Sequence, residues 1–178
     1  YMDNFAFIIH PIDYMDVARK FKFMKNLPEG FVEGIMKNIP PLKVSHITGV
    51  KSPYNEIEGW FVGCPLTTRQ MMTLPEKYVL QKIIQAGKLA EKLGARIVGL
   101  GAFTSVVGDA GITIAKNLNI PVTTGNSYTV ATALEGAKKA ASIMGHDIKN
   151  AEVVVIGATG SIGKVCAQVL AKECRFLT

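Results

Sequence analysis

The stretch Val153-Val154-Val155-Ile156-Gly157-Ala158-Thr159-Gly160-Ser161-Ile162-Gly163-Lys164 constrains the fold more than any other part of the chain. Three valines and an isoleucine in a row suit a buried parallel strand. Glycines then recur at 157, 160 and 163, and beyond them Ile162, Val165, Cys166, Val169 and Leu170 share one face of a helix. Strand, glycine turn and helix, in that order, form the setting that a dinucleotide fingerprint requires. The spacing is G-x-x-G-x-x-G, one residue wider at the start than G-x-G-x-x-G. Gly157 suits the tight turn, Gly160 lets a pyrophosphate reach the backbone, and Gly163 lets helix and strand approach closely. Amides at the helix start then face the phosphates, aided by the helix dipole. The alternative is a glycine-rich turn in an α/β domain that holds no ligand.

Cys174-Arg175-Phe176-Leu177-Thr178 reads as the opening of a second strand. In a Rossmann domain the end of that strand carries the acid or arginine that reads the ribose. That position is not within residues 1–178, so the sequence leaves NAD against NADP open and points to a longer protein.

The 178 residues are 48% hydrophobic and 19% charged, which is a globular composition and not a disordered one. No apolar run approaches the roughly 18 residues of a membrane span. Tyr1-Met2-Asp3-Asn4 lacks a basic stretch leading into an apolar one, so no signal peptide is expected, and Met2 is taken as the start. Cys64, Cys166 and Cys174, with His10, His46 and His146, show neither a disulfide framework nor metal-ligand spacing. A reducing cytoplasm is therefore the expected compartment. The net charge of +6 is scattered, which fits a solvated surface or attraction of an anionic cofactor, and disfavours nucleic acid.

Phe5 to Ile9 reads as a first strand stopped by Pro11, with His10 at its end, and Asp13 as the cap of a helix to about Lys22. Leu27 to Ile39 reads as a helix, and Lys43–Val50 with Glu56–Val62 as a β-hairpin. Cys64 follows the hairpin as an ordinary loop thiol or a nucleophile aided by Arg69. Thr73 and Glu76 suit a capping box for a helix whose buried stripe is Val79, Ile83, Ala86, Ala90 and Leu93. Ile97 to Leu100 is a second parallel-type strand, Asp109–Leu118 a helix, and Ile120–Val122 a short strand. A further helix follows, with the stripe Val130, Ala133, Leu134, Ala137, Ala141 and Met144.

Open α/β sheets bind ligands beyond the carboxyl ends of their strands. Thr104, Ser105, Thr124 and Asn126 occupy such places and are the candidate substrate-binding residues. Gly157, Ala158, Thr159, Gly160, Ser161, Ile162 and Gly163 are the candidate cofactor-binding residues. Residues 101–105, 124–128 and 157–163 are expected to line a cleft. The fold expected is α/β: a substrate-binding α/β domain over 2–125, then a linker helix and the start of an incomplete Rossmann domain over 126–178.

Gly101-Ala102-Phe103-Thr104-Ser105, then Thr123-Thr124-Gly125-Asn126-Ser127-Tyr128-Thr129, then the glycine turn resemble the long-chain fatty acyl-(acyl carrier protein) reductases in order and spacing. Cys64-Pro65-Leu66 and Ile8-Ile9-His10 look similar too. The layout is also similar to that of shikimate dehydrogenases and glutamyl-tRNA reductases. The resemblance implies reduction of an acyl thioester to an aldehyde with NADP(H), NAD(H) remaining an alternative. It implies a carrier-bound or small-molecule acyl substrate, an acyl carrier protein as partner, and a catalytic cysteine that would lie beyond residue 178. Residues 1–178 alone are thus expected to be inert. The rival readings are a dehydrogenase for a small polar acid and a non-catalytic nucleotide-binding module; a homo-oligomer is left open. A long apolar channel lined by Phe103, Trp60 and Phe61 would favour the acyl chain, and basic side chains near Ser105 the small acid.

Overall fold

The computed structural model describes residues 4–178, so the start assigned to Met2 lies outside the described residues. The fold is α/β, and the chain divides into two compact units, Tyr1–Thr124 and Gly125–Thr178.

Unit 1 carries strands β1 (Phe5–Ile9), β2 (Leu42–Lys51), β3 (Glu56–Gly63), β4 (Ile97–Leu100) and β5 (Val122–Thr123), in the sheet order β2-β3-β1-β4-β5. β1 runs parallel to β3 and β4, β5 is parallel to β4, and β2 pairs antiparallel with β3 at the edge. Its helices are α1 (Tyr14–Lys20), α2 (Glu29–Met36), α3 (Thr68–Thr73), α4 (Glu76–Lys92) and α5 (Ile112–Lys116), with 3-10 turns at Lys22–Asn26 and Ala102–Ser105.

Register decides the core. Ala6 lies opposite Trp60 and Val98, and Ile8 opposite Val62 and Leu100. Side chains alternate across a strand, so these six share one face. They cluster with Val79, Ile83, Ala86 and Ala90 of α4. The opposite face carries Phe5, Phe7 and Phe61, with Phe5 and Phe7 edge-on at 5.8 Å. A second, smaller core joins Ala18, Met24, Val32 and Met36.

Three helix boundaries differ from expectation. The Thr73–Glu76 box does not form: Thr73 ends α3, and α4 starts at Glu76 with Pro75 in the cap position. Proline disfavours helical backbone in the residue before it, and Leu74 is extended at ψ 156°, which separates the two would-be partners. The capping box lies one helix earlier. There the Gln70 amide donates to Thr67 Oγ1 at 3.2 Å, and the Thr67 amide to Gln70 Oε1 at 3.1 Å. α5 begins only after Gly111, because the Asp109 carboxylate takes the Thr113 amide and hydroxyl. α2 is held to Glu29–Met36, opened by Pro28.

Unit 2 carries α6 (Asn126–Ile143), a 3-10 turn at Ile148–Asn150, β6 (Glu152–Val153), α7 (Ser161–Leu170) and β7 (Phe176–Leu177), with β6 and β7 parallel. Pairing continues past the short strands, since the Val155 amide donates to the Thr178 carbonyl at 2.8 Å. Val130, Leu134 and Leu170 form the core, with Val153, Val155, Ile162, Cys166 and Val169 packed on it. The expected fully buried strand is corrected: Val154 is 65% and Ile156 95% exposed. Residues alternate, and only the face carrying Val153 and Val155 meets α6 and α7 within this unit. For the same reason α6 buries Val130 and Leu134, while Ala133, Ala137 and Met144 of the expected stripe are exposed.

Candidate functional site

In unit 2 the glycine turn is built by backbone geometry. Gly157 has φ +82°, a conformation that costs an L-residue about 1–2 kcal/mol. A Cβ on Gly163 would overlap the Gly157 carbonyl oxygen, and would lie 2.8 Å from that carbonyl's carbon and 3.2 Å from Ala158 Cα. Glycine at 163 is what allows α7 to start against the turn. Gly160 differs. Its φ is −76°, and a Cβ there would stand 3.4 Å from the Gly157 carbonyl oxygen, so the fold itself does not demand glycine. What glycine keeps at 160 is open space beside the backbone.

Gly157, Ala158, Thr159, Gly160 and Ser161 are exposed, and Ile162 and Gly163 are half-buried. Gly160 occupies the cap position of α7 and supplies no side-chain cap. The first amides of α7 are thus presented uncapped, with the positive end of the helix dipole behind them. Asn126 Nδ2 donates to the Ser161 hydroxyl at 3.1 Å, joining the start of α6 to the start of α7.

At the far ends of the same helices lies an open groove of about 890 Å³ lined by Lys138, His146, Lys149 and Lys172 among others. Lysines there complement the negative helix C-termini, and Lys138 is paired with Glu173.

In unit 1 the Gly101–Ser105 turn follows β4. Its shape is imposed from outside and inside. Ala102 is left-handed at φ +49°. The Phe103 amide donates to His10 Nε2 at 3.1 Å. His10 Nδ1 then carries a proton and donates to the Pro11 carbonyl at 2.9 Å. Two of the substrate-binding candidates lie in this turn. Thr104 is fully buried and its hydroxyl donates to the Gly101 carbonyl at 2.7 Å. Ser105 is half-buried and donates to the Ala102 carbonyl at 2.7 Å. Both hydroxyls close their own 3-10 turn. Thr124 is half-buried at the end of unit 1, and Asn126 belongs to unit 2.

Cys64 is not an open loop thiol. It is fully buried, and burial pushes its pKa up to about 12 against a smaller opposing effect from Lys82. The thiolate needed for nucleophilic attack is thereby suppressed. Among the described residues no group of three or more His, Cys, Asp or Glu could hold a metal. No helix among them is long and apolar enough to cross a membrane.

The sequence reading missed a cavity of about 540 Å³ at the carboxyl ends of β1 and β3, walled by α1, the Lys22–Asn26 turn, the end of α2 and the start of β2. Its wall includes Val17, Met24, Met36, Ile39, Leu42 and Val44. Phe103, Trp60 and Phe61, expected to line an apolar channel, are not part of it. Trp60 lies in the main core, Phe61 points to the other sheet face, and Phe103 packs on the core. The wall is gathered from five segments, so no single spacing announces it.

The chain is similar to a long-chain acyl-[acyl-carrier-protein] reductase. That protein, from Synechococcus elongatus, is 28% identical over 159 residues, covering 85% of this chain and 46% of the relative. Aminotransferase PigE of a Serratia species is 26% identical over 180 aligned positions, covering 94% of this chain and 20% of that protein. The chain therefore spans less than half of the reductase and a fifth of the aminotransferase. No family model matches. An aspartate racemase homologue from Pyrococcus horikoshii covers 99% of this chain and 64% of its own at 12% identity, with a TM-score of 0.40, too loose a likeness to carry an argument. The relatives are enzymes, and the relationship to a reductase is distant.

Proposed function

We propose that the chain is part of a nicotinamide-dependent oxidoreductase acting on an acyl thioester. The observation that carries the reading is the turn at Gly157–Gly163. It combines a left-handed Gly157, a close approach that only Gly163 permits, and space at Gly160 that the fold does not itself require. A diphosphate fits that description, since it needs bare backbone and unspent amides more than side chains. Ser161, Ile162 and Gly163 would hold it through their amides, with Ala158 and Thr159 shaping the turn and Lys164 exposed on the first helical turn. Asn126 steadies Ser161. The cofactor would supply the hydride, and this chain's residues bind and orient it.

The choice of an acyl substrate over a small polar acid rests on the distant similarity to the reductase and on the apolar cavity of unit 1. An acyl carrier protein as partner follows from that similarity alone. NADPH is the cofactor this similarity favours, with NADH the alternative. Titration of the complete protein with NADPH and NADP, followed by nicotinamide fluorescence and calorimetry, tests the reading. Saturable binding that Gly160→Ala weakens supports it, and no binding of either at millimolar concentration removes it.

A further inference from the structure

The cavity of unit 1 falls within the roughly 300–1,000 Å³ of small-molecule sites. Its chemistry narrows the occupant. The titratable side chains on its wall, other than the inert Cys64 thiol, are already engaged within the protein. Both His10 nitrogens are used, on the Phe103 amide and the Pro11 carbonyl. Asp16 accepts from the Ile12 amide at 2.9 Å and pairs with Arg19 at 2.9 Å. Lys20 Nζ reaches the Val44 carbonyl at 3.4 Å. A sugar, a nucleotide or a small dicarboxylate would lose water here and gain few partners in return, and each polar group left unpaired is costly. An alkyl chain loses no hydrogen bonds by the same transfer and gains with every methylene buried.

Two further features agree. Phe21 and Phe23, 40% and 70% exposed, stand on the wall with ring centroids 6.3 Å apart. Met24 and Met36 are the longest buried side chains of the wall, in a small core separate from the main one. Methionine adapts its shape to what it packs against, and the segments bearing this wall are short.

We infer that this cavity seats the aliphatic tail of the substrate, and that Met24 and Met36 set the length of chain it admits. The inference rests on the acyl-thioester reading above and adds where the chain goes and what measures it. Phe21 and Phe23 close over the tail, and the headgroup stays outside. Because His10 lies on the wall and holds the Phe103 amide, a seated tail also fixes the Gly101–Ser105 turn.

The experiment uses the purified protein, cis-parinaric acid as fluorescent probe, and saturated fatty acids from octanoate to stearate as competitors, with NADPH titrated into the same samples. The expected result is displacement that strengthens with chain length to an optimum. Met36→Phe should move that optimum to a shorter acid and weaken the longest by about tenfold. Phe23→Ala, at a position 70% exposed, should weaken all chains by about threefold. No probe binding to the parent protein, displacement by a small dicarboxylate instead, or an unchanged length order in a folded Met36→Phe and in Met24→Phe would overturn the inference. NADPH binding without fatty-acid binding removes the cavity assignment alone. Fatty-acid binding without NADPH binding supports the cavity and removes the oxidoreductase reading.

Discussion

Asn126 donates its side-chain amide to the Ser161 hydroxyl across 3.1 Å, so the first residue of α6 holds the first residue of α7. Asn126 thus acts on the glycine turn from the side. Asn126→Ala should leave unit 2 folded by circular dichroism. It should weaken NADPH binding by several-fold, in keeping with about 1 kcal/mol for one hydrogen bond. An unchanged titration would mean that the bond has no part in shaping the turn.

Gly160 and Gly163 should respond differently to one added methyl. Gly163→Ala forces a Cβ into the Gly157 carbonyl, so it should destabilise unit 2 by about 1–3 kcal/mol, read by thermal melting. Gly160→Ala meets only an atom at 3.4 Å and should melt like the parent, while NADPH affinity falls by about tenfold. Equal melting losses in both would contradict the division of roles.

Glu33 makes unit 1 sensitive to acid. Burial alone would raise its pKa, but hydrogen bonds from Arg69 and Thr67, and the Arg69 charge, outweigh burial and hold it below its ordinary 4.5. The unfolded chain therefore takes up the proton first. The contribution is fully present above the ordinary value and is lost as pH falls through the folded one. Urea melts taken from neutral to acid pH should show this decline. Thr67→Val removes both the α3 cap and a Glu33 partner, so it should cost about 1–2 kcal/mol at neutral pH and flatten the acid dependence.

Cys64 should be silent to thiol reagents. With its pKa pushed up to about 12 and its side chain buried, alkylation of the native protein should spare it and label the half-buried Cys166 and Cys174 first, as peptide mass spectrometry would show. Cys64 labelled as fast as the others would mean that the carboxyl end of β3 opens readily.

Ala102 at φ +49° keeps strain in the Gly101–Ser105 turn. Ala102→Gly should raise stability by up to about 1 kcal/mol in denaturant melts, the relief of left-handed strain exceeding the added chain entropy. His10→Phe keeps an aromatic side chain but removes the acceptor for the Phe103 amide, and should lower stability by about 1 kcal/mol or more.

Local chemistry was legible in the chain. Gly157 and Gly163 could be assigned their tasks because a left-handed φ and a missing Cβ are properties of one residue in one turn. The β2–β3 hairpin, the α4 stripe and the Asp13 cap of α1 are readable for a similar reason: each is announced by the pattern of one segment or by two segments joined through a short turn. The Thr73–Glu76 spacing matches a capping box, but Pro75 holds Leu74 extended and keeps the two apart.

The tertiary structure decided what no spacing carries. Thr104 and Ser105, candidate ligand contacts by their place after β4, donate their hydroxyls to Gly101 and Ala102, an arrangement set by the path of the turn. Cys64 became inert because α4 and the sheet close over it. The apolar cavity exists because β1 and β3 end side by side, bringing Ile9 and Cys64 to one wall with Met24 and Met36. Sequence fixes what each residue can do over a few bonds; burial, ionisation and shared walls are set by residues tens of positions away, and only the folded sheet states which ones meet.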